Sequence, residues 1–388
     1  MTDQPFIPYG RQDISEDDIA AVSKVLRSDY LTTGPEVERF ETAFAAQTGA
    51  STATVCNSGT AALHLATLAA GLGPGDWAIV PAITFLATAN AVRMTGAEVQ
   101  FADVDPDTGL LTIEAAEKAL KACPGKPKAI LPVHMGGQPT DPALYDWAKQ
   151  QDLTVIADSC HGLGGWCHSA GSQTHPIGSC VYEDIATFSL HPVKSVAMGE
   201  GGMITTNHPD LAHRMKTLRN HGMQRDPGRA NSEPWAYEMQ QIGYNYRAPD
   251  ILCALGRSQL KRLPAFQKAR AERADVYDVA FADLSSMIKP VPRVAYAQSG
   301  WHLYRLIIDF EALGITRGDF MGGLKKKGIG SQVHYIPVSS QPYYQNRYGE
   351  QDLPGADQYY CKTLSIPLYA SLTEQDQNRV IEAVKTLL

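Results

Sequence analysis

Residues Cys56–Asp76 read CNSGTAALHLATLAAGLGPGD. Apolar residues lead into Asn57-Ser-Gly-Thr60, and a run with helical character follows at once. A strand, a glycine turn and a helix in direct succession point free backbone N–H groups and the positive helix end at one place. Ser58 and Thr60 add hydroxyls beside them. That junction suits a phosphate group, and it equally suits plain capping of the helix by Ser58 or Thr60.

Outward from this junction, short apolar runs alternate with helical stretches. The spacing predicts strands at Thr54–Cys56, Ala78–Val80, Glu98–Asp103, Ala129–Val133, Thr154–Ala157, Ile185–Phe188 and Met203–Thr206. It predicts helices at Ala61–Ala70, Ala87–Thr95, Ile113–Lys121, Pro142–Gln150 and Pro209–Asn220. Strands apolar on both faces, alternating with helices, imply an α/β domain around a mostly parallel sheet. Upstream, Ser15-x-x-Asp18 has the form of a capping box and opens a helix over Asp17–Leu26, which Leu31-Thr-Thr-Gly-Pro35 interrupts.

The pattern changes after Gln259. A long charged helix is expected over Leu263–Leu284, then a proline-rich stretch at Lys289–Val294. A strand at Leu303–Asp309, a helix at Thr316–Lys327, a strand at Ser331–Tyr335 and a last helix at Glu374–Leu388 follow. The expectation is a large domain over 1–258 with an N-terminal arm, 1–30, and a smaller α+β domain over 259–388.

The bulk properties narrow the function. A chain of 388 residues, 44% hydrophobic and 19% charged, is ordinary for a globular protein. A net charge of -7 argues against a general nucleic-acid binder. No apolar run approaches the ~20 residues of a membrane-spanning helix. The acidic start, MTDQPFIPYGRQDISEDD, lacks the pattern of a signal peptide. Seven scattered cysteines do not form a disulfide framework, and a cytoplasmic location is expected.

Three further stretches carry chemistry. In LTVIADSCHGLGG, residues 153–165, an apolar strand ends in Asp158, with His161 close behind. Ligands of open α/β sheets bind at the carboxyl ends of strands. There the carboxylate could hold a metal, act as a base, pair with a cationic ring nitrogen, or simply cap a turn. In IVPAITFLATANAV, residues 79–92, a strand ends and delivers Phe85 to the same edge, as core or as a stacking surface. In SLHPVKSVAMGEGG, residues 189–202, Lys194 stands among small, apolar and glycine residues. It is either a loop lysine or an amine that does chemistry.

A phosphate seat, a strand-end carboxylate, an aromatic ring and an isolated lysine are the parts that hold pyridoxal 5'-phosphate. The lysine bonds the aldehyde, and the carboxylate keeps the ring nitrogen protonated. Such an amine must be partly deprotonated, far from the ~10.4 of a free lysine, and an apolar pocket achieves that.

The whole set resembles the DegT/DnrJ/EryC1/StrS family of sugar aminotransferases, fold type I of the pyridoxal-phosphate enzymes. The likeness covers SLHPVKSVAMGEGGMITT, YLTTGPEVERFE, NSGTAALHLA, PAITFLATANAV, VIADSCHGLG, RNHGM, GYNYRAPDILCALGRSQL and VHYIPV, in the family's order. Within the family, SDYLTTG, SLHPVK, NHGM and VHYIPV resemble the enzymes that aminate a UDP-4-keto-6-deoxy-N-acetyl-hexosamine on the route to pseudaminic acid.

The resemblance implies a mixed, mostly parallel sheet in a large domain and a smaller C-terminal α+β domain. Lys194 matches the cofactor-bearing lysine and proton carrier, Asp158 the partner of the ring nitrogen, with His161 beside it. Phe85 matches the ring-stacking position. Ser58, Gly59, Thr60 and Ser189 match the phosphate site. Asn245 matches an asparagine that reaches the phosphate from a neighbouring subunit, which implies a homodimer with shared sites. For the nucleotide sugar the resemblance points to Tyr9, Asp29, Tyr30, Leu31, Thr32, Arg247, His334 and Tyr335. It implies transfer of an amino group from L-glutamate, leaving 2-oxoglutarate, to the C4 ketone of the UDP-linked sugar. Family members that dehydrate sugars carry histidine in place of the lysine, so Lys194 favours transamination. Rival readings are another 4-keto sugar, a dehydratase or lyase with the same cofactor, and a non-catalytic regulator.

Cys160, Cys167, His168, His175 and Cys180 crowd one window, but their gaps lack the C-x2-4-C spacing of a structural zinc site, and no metal is expected. In the family this window is a surface hairpin between the aspartate and lysine strands.

Overall fold

A computed structural model describes residues 5–168, 173–225, 228–229, 232–282, 284 and 286–388. At its centre is a seven-stranded sheet. Its strands are β1 (Thr52–Cys56), β2 (Trp77–Pro81), β3 (Glu98–Ala102), β4 (Pro127–Ile130), β5 (Thr154–Asp158), β6 (Ile185–Ser189) and β7 (Gly202–Thr206). The spatial order is β1-β7-β6-β5-β4-β2-β3. β7 runs antiparallel to both of its neighbours, and the other pairings are parallel. Six strands therefore end at one edge. The sheet is buried on both faces: Val55, Ile79, Ile156, Phe188 and Ile204 are fully enclosed. Each such side chain contributes about 1.5–3 kcal/mol by leaving water.

All seven sheet strands were expected from the short apolar runs between helical stretches, to within a few residues. The helices α1 (Glu16–Leu26), α3 (Gly59–Ala69) and α4 (Leu86–Met94) also match. The Ser15 hydroxyl and the Asp18 carboxylate form the capping box of α1.

Three regions depart from expectation. Where the sequence reading placed only a break, a helix α2 spans Pro35–Thr48. Its N-cap is Gly34, which has no side chain to offer. The Asp250 carboxylate, far along the chain, accepts from the N–H groups of Gly34 (2.8 Å) and Glu36 (2.9 Å) instead. A cap borrowed across the fold leaves no local mark. Asp250 opens α5 (Asp250–Lys261), and α6 follows over Leu263–Phe281; position 283, in the expected helix to Leu284, lies outside the described residues.

The expected strand at Ser331–Tyr335 is not one. Gln332 makes a single bridge to Ser365 and the chain then turns inward, carrying His334 and Tyr335 toward the sheet edge. The strand at Tyr304–Ile308 is paired instead with two strands that were not expected. β8 (Ile288–Pro290) and β10 (Thr363–Ile366) flank β9 (Tyr304–Ile308), both antiparallel to it.

Around this small sheet lies a second core, with Tyr277, Phe281, Ile288, Leu306, Phe320 and Val380. Ile7 belongs to it, held by a bridge to Ile329, so the start of the described arm packs on the second core, whereas α1 packs on α5, where the Gln259 side chain donates to Asp18; residues 1–4 lie outside the described residues.

The window from Cys160 to Cys180 contains an antiparallel pair, Trp166–His168 with Thr174–Pro176, joined on its other edge by Ala297–Gln298. Positions 169–172 of that window lie outside the described residues. No group of three or more His, Cys, Asp or Glu residues with metal-holding geometry occurs among the described residues. Among them no helix is long and apolar enough to cross a membrane.

Candidate active site

The shared edge of the sheet opens into a cavity of about 560 Å³. Each wall is a strand end or the turn after it. β1 delivers Ser58, Gly59 and Thr60; β2 delivers Thr84 and Phe85; β5 delivers Asp158, Cys160 and His161; β6 delivers Ser189 and then Lys194. The second core adds His302 and the segment Gln332–Ile336, and the arm adds Tyr9.

The β1 turn is packed tightly. A Cβ on Gly59 would lie 2.8 Å from Ser189 Cβ, so only glycine lets the two turns meet. A Cβ on Gly202, at the start of β7, would lie 2.1 Å from the Ser58 carbonyl oxygen. The Ser58 hydroxyl accepts from Ala61 N–H and its carbonyl from Ala62 N–H. Gly59 and Thr60 carry the remaining donors of the first turn of α3, and they face the cavity where an anion would sit.

Asp158 is buried. Thr88 Oγ1, in the first turn of α4, donates to its Oδ2 at 2.6 Å, and Cys160 N–H donates to its Oδ1 at 3.1 Å. Among the described residues, no cationic side chain pairs with it within 4.0 Å. A buried carboxylate without a counterion is costly. A protonated ring nitrogen would supply the missing charge. The open helix end and this uncompensated carboxylate, in one cavity with a lysine, fit pyridoxal 5'-phosphate.

Lys194 is partly buried in the cavity wall. Burial pushes its amine below the usual lysine range, while Cys160 and Asp158 pull weakly the other way. Its Nζ lies 3.5 Å from Nε2 of His302. The uncharged neighbours that made this lysine conspicuous in the sequence are what lower its charge.

Histidines line the far side. Gly136 N–H donates to Nδ1 of His161 at 3.2 Å, so a neutral His161 carries its proton on Nε2 and donates to Tyr335 Oη, 3.0 Å away. Burial takes His161 well below the usual histidine range and brings His334 down to about 3. His334 Nδ1 lies 2.8 Å from Ser365 Oγ on β10. These rings stay neutral at neutral pH.

The cavity thus gathers Lys194, Asp158, His161, Ser58, Gly59, Thr60, Phe85, Ser189, Tyr9, His334 and Tyr335. It does not gather Asp29, Tyr30, Leu31, Thr32, Asn245 or Arg247. Tyr30 and Leu31 are exposed in the link between α1 and α2. Asn245 bridges to Asn220, and Arg247 donates to the Asn220 side chain at 2.7 Å. Sequence reasoning missed His302 and Thr88. His302 is 108 positions from Lys194 in the chain, and no motif spacing connects them. Thr88 sits in a plain helical run.

The DegT/DnrJ/EryC1/StrS aminotransferase family model matches residues 12–385. The spore coat polysaccharide biosynthesis protein SpsC of Bacillus subtilis is 40% identical, covering 99% of this chain and 97% of that one. PseC of Helicobacter pylori, an aminotransferase of pseudaminic acid biosynthesis, superposes with a TM-score of 0.90 at 29% identity over 98% of this chain and 99% of its own. The PLP-form of the sugar aminotransferase Spr1654 from Streptococcus pneumoniae gives a TM-score of 0.87 at 29% identity, with 98% of both chains covered. With the family's pattern running through nearly all of the sequence and the relatives matching end to end, this chain belongs to the DegT/DnrJ/EryC1/StrS aminotransferase family.

Proposed function

We propose that the protein is a pyridoxal 5'-phosphate-dependent sugar aminotransferase. It moves the amino group of L-glutamate to the C4 ketone of a UDP-4-keto-6-deoxy-N-acetyl-hexosamine. The product is UDP-4-amino-4,6-dideoxy-N-acetyl-β-L-altrosamine, a precursor of pseudaminic acid. One observation carries the reaction type: Lys194, the unpaired buried Asp158 and the open end of α3 converge on a single cavity. The likeness to PseC supports the sugar. The 40% identity to SpsC favours a second reading, a different 4-keto sugar destined for a surface polysaccharide.

When bound, the cofactor supplies an electron sink for the carbon being deprotonated. Lys194 holds it through Nζ, Asp158 balances its ring nitrogen, Phe85 covers a ring face, and Ser58, Gly59, Thr60 and Ser189 hold its phosphate. Once free, Lys194 Nζ would take the proton from the donor's Cα as general base and give it as general acid to the carbon on the other side of the donor nitrogen, C4' of the cofactor. The neutral His161 holds Tyr335 in place. Tyr9, His334 and Tyr335 face the nucleotide sugar.

Asp29–Thr32, Asn245 and Arg247 serve the cavity of a second copy, in a homodimer with shared sites. Exposed apolar side chains near them, Trp235, Tyr237, Met239 and Ile242, suit burial between copies. The second core from residue 259 onward is the smaller domain, and the enzyme works in the cytoplasm, where nucleotide sugars are made.

Borohydride reduction of the cofactor-loaded protein, followed by peptide mapping, should place a pyridoxyl group on Lys194. Label elsewhere, or none, sinks the reading. Glutamate with a panel of nucleotide 4-keto sugars should yield 2-oxoglutarate and an aminated sugar; its C4 configuration separates the two substrates.

A further inference from the structure

His302 lies just ahead of β9 and is buried against Lys194, with Nε2 and Nζ 3.5 Å apart. Its other nitrogen, Nδ1, has no hydrogen-bond partner. A neutral imidazole carries one proton, on either nitrogen. Placed on Nδ1, that proton makes an orphaned buried N–H. Placed on Nε2, it leaves only a lone pair unused, and Nε2–H points at Lys194. Buried donors without partners are rarer in folded proteins than underused acceptors, so the second arrangement is preferred.

What lies behind the ring excludes a third form, the imidazolium. Arg270 on α6 is 3% exposed and donates from Nη1 to the carbonyls of Trp301 (3.2 Å), His302 (3.3 Å) and Leu368 (3.2 Å). Among the described residues no carboxylate pairs with it within 4.0 Å. An uncompensated cation therefore braces the very segment that carries His302. The His161 ring, 4.4 Å from His302 between centroids, brings no negative charge.

We propose that His302 donates its Nε2–H to the nitrogen of Lys194 and so selects the uncharged amine. An ammonium has no lone pair with which to accept; an amine has one. His302 is a positioning residue, acting through Lys194, and its role rests on the reading of Lys194 as the proton-moving group. No proton passes between the two. The third proton of the ammonium is lost to solvent, and the hydrogen bond holds the result.

The other groups facing the amine act as follows. Asp158 and Cys160, from β5 and its turn, favour the charged form, and burial opposes them. Glu200 lines the cavity from the lysine's own loop, where its charge would also favour the ammonium. His161, His334, Tyr335 and Tyr9 face it as neutral groups, their titration displaced by burial. Arg305, beyond His161, opposes further positive charge there. His302 is the group among these that is within hydrogen-bond reach of Nζ.

The test reads the amine directly. The full chain, freed of cofactor, is labelled with trinitrobenzenesulfonate from pH 6 to 10.5, and Lys194 is quantified by peptide mapping. Lys194 should label with a midpoint below the ~10.4 of a free lysine. His302→Leu should raise that midpoint by about one unit, slowing labelling at pH 7.5 about ten-fold. His302→Gln, which keeps an N–H donor at the same reach, should stay within about two-fold of the unaltered chain.

A leucine variant that labels as fast as the parent, or faster, overturns the proposal while leaving the function of Lys194 standing. A parent Lys194 no more reactive than surface lysines overturns both. Should the leucine variant not fold, ¹⁵N imidazole spectra of the unaltered protein decide, with His302 assigned through His302→Gln. A proton on Nδ1 is the refuting result.

Discussion

The cavity floor and Asn245 with Arg247, at the end of the exposed segment from Trp235 to Arg247, were read from the sequence as parts of one site, yet the fold treats the two regions in opposite ways. At the floor, Ser58, Asp158, and Ser189 with Lys194 come from three separate strands and converge because those strands end at one edge. Their surroundings are buried, hydrogen-bonded and apolar. In the segment, Trp235 is 72% exposed and Ile242 79% exposed. Asn245 and Arg247 contact Asn220 rather than the cavity. The floor is complete within one chain, whereas the segment has its apolar side chains turned to solvent and lacks something to pack on. On the proposed reading, the difference separates the groups that one chain assembles around its cavity from Asp29–Thr32, Asn245 and Arg247, which would reach a cavity only in a second copy.

The largest effect should come from the floor. Asp158→Asn keeps the shape and one of the two acceptor oxygens but removes the charge proposed to balance the cofactor's ring nitrogen. The rate with glutamate should fall about a thousand-fold, roughly 4 kcal/mol, with fold and cofactor largely retained. Near-parental kcat would show that the floor does not work through charge.

The segment should respond differently. Ile242→Asp should weaken self-association about ten-fold or more in sedimentation, and activity should become dependent on protein concentration. A variant that stays monomeric and fully active would break the comparison, since the segment would then serve no second cavity.

The smallest change sharpens the floor itself. Thr88→Val deletes the donor to Asp158 Oδ2 and leaves the shape. A lost hydrogen bond to a buried charge is worth about 1.5–3 kcal/mol, of which part should appear as a five- to ten-fold drop in kcat with KM unchanged. A change in KM alone would mean that Thr88 acts on substrate fit and not through Asp158.

Much of this was legible in the chain. Strands β1 to β7 are short apolar runs bounded by glycine, proline or polar residues, and burial on both faces allows little else. Ser58-Gly59-Thr60, Asp158 and Lys194 stand out because each is a polar residue where an apolar run stops. The misses have equally physical causes. α2 is capped by Asp250 from across the fold, so nothing local marks its start. Gln332 forms one bridge and no ladder, because its neighbours His334 and Tyr335 are drawn into the cavity.

The placing of apolar runs and of the polar, glycine and proline residues between them dictates which segments become strands and helices, since that preference acts over a few neighbouring positions. It also marks Lys194 as an amine without neutralising neighbours. Distance along the chain says nothing about distance in space. The meeting of Lys194 with His302 exists only once both cores have packed together, and those of Asp158 with Thr88 and of Arg270 with the carbonyls behind His302 exist only once each core has assembled. Packing also pushes the Lys194 amine and the His302 ring below their usual ranges, because burial weakens the hold of water on an ion.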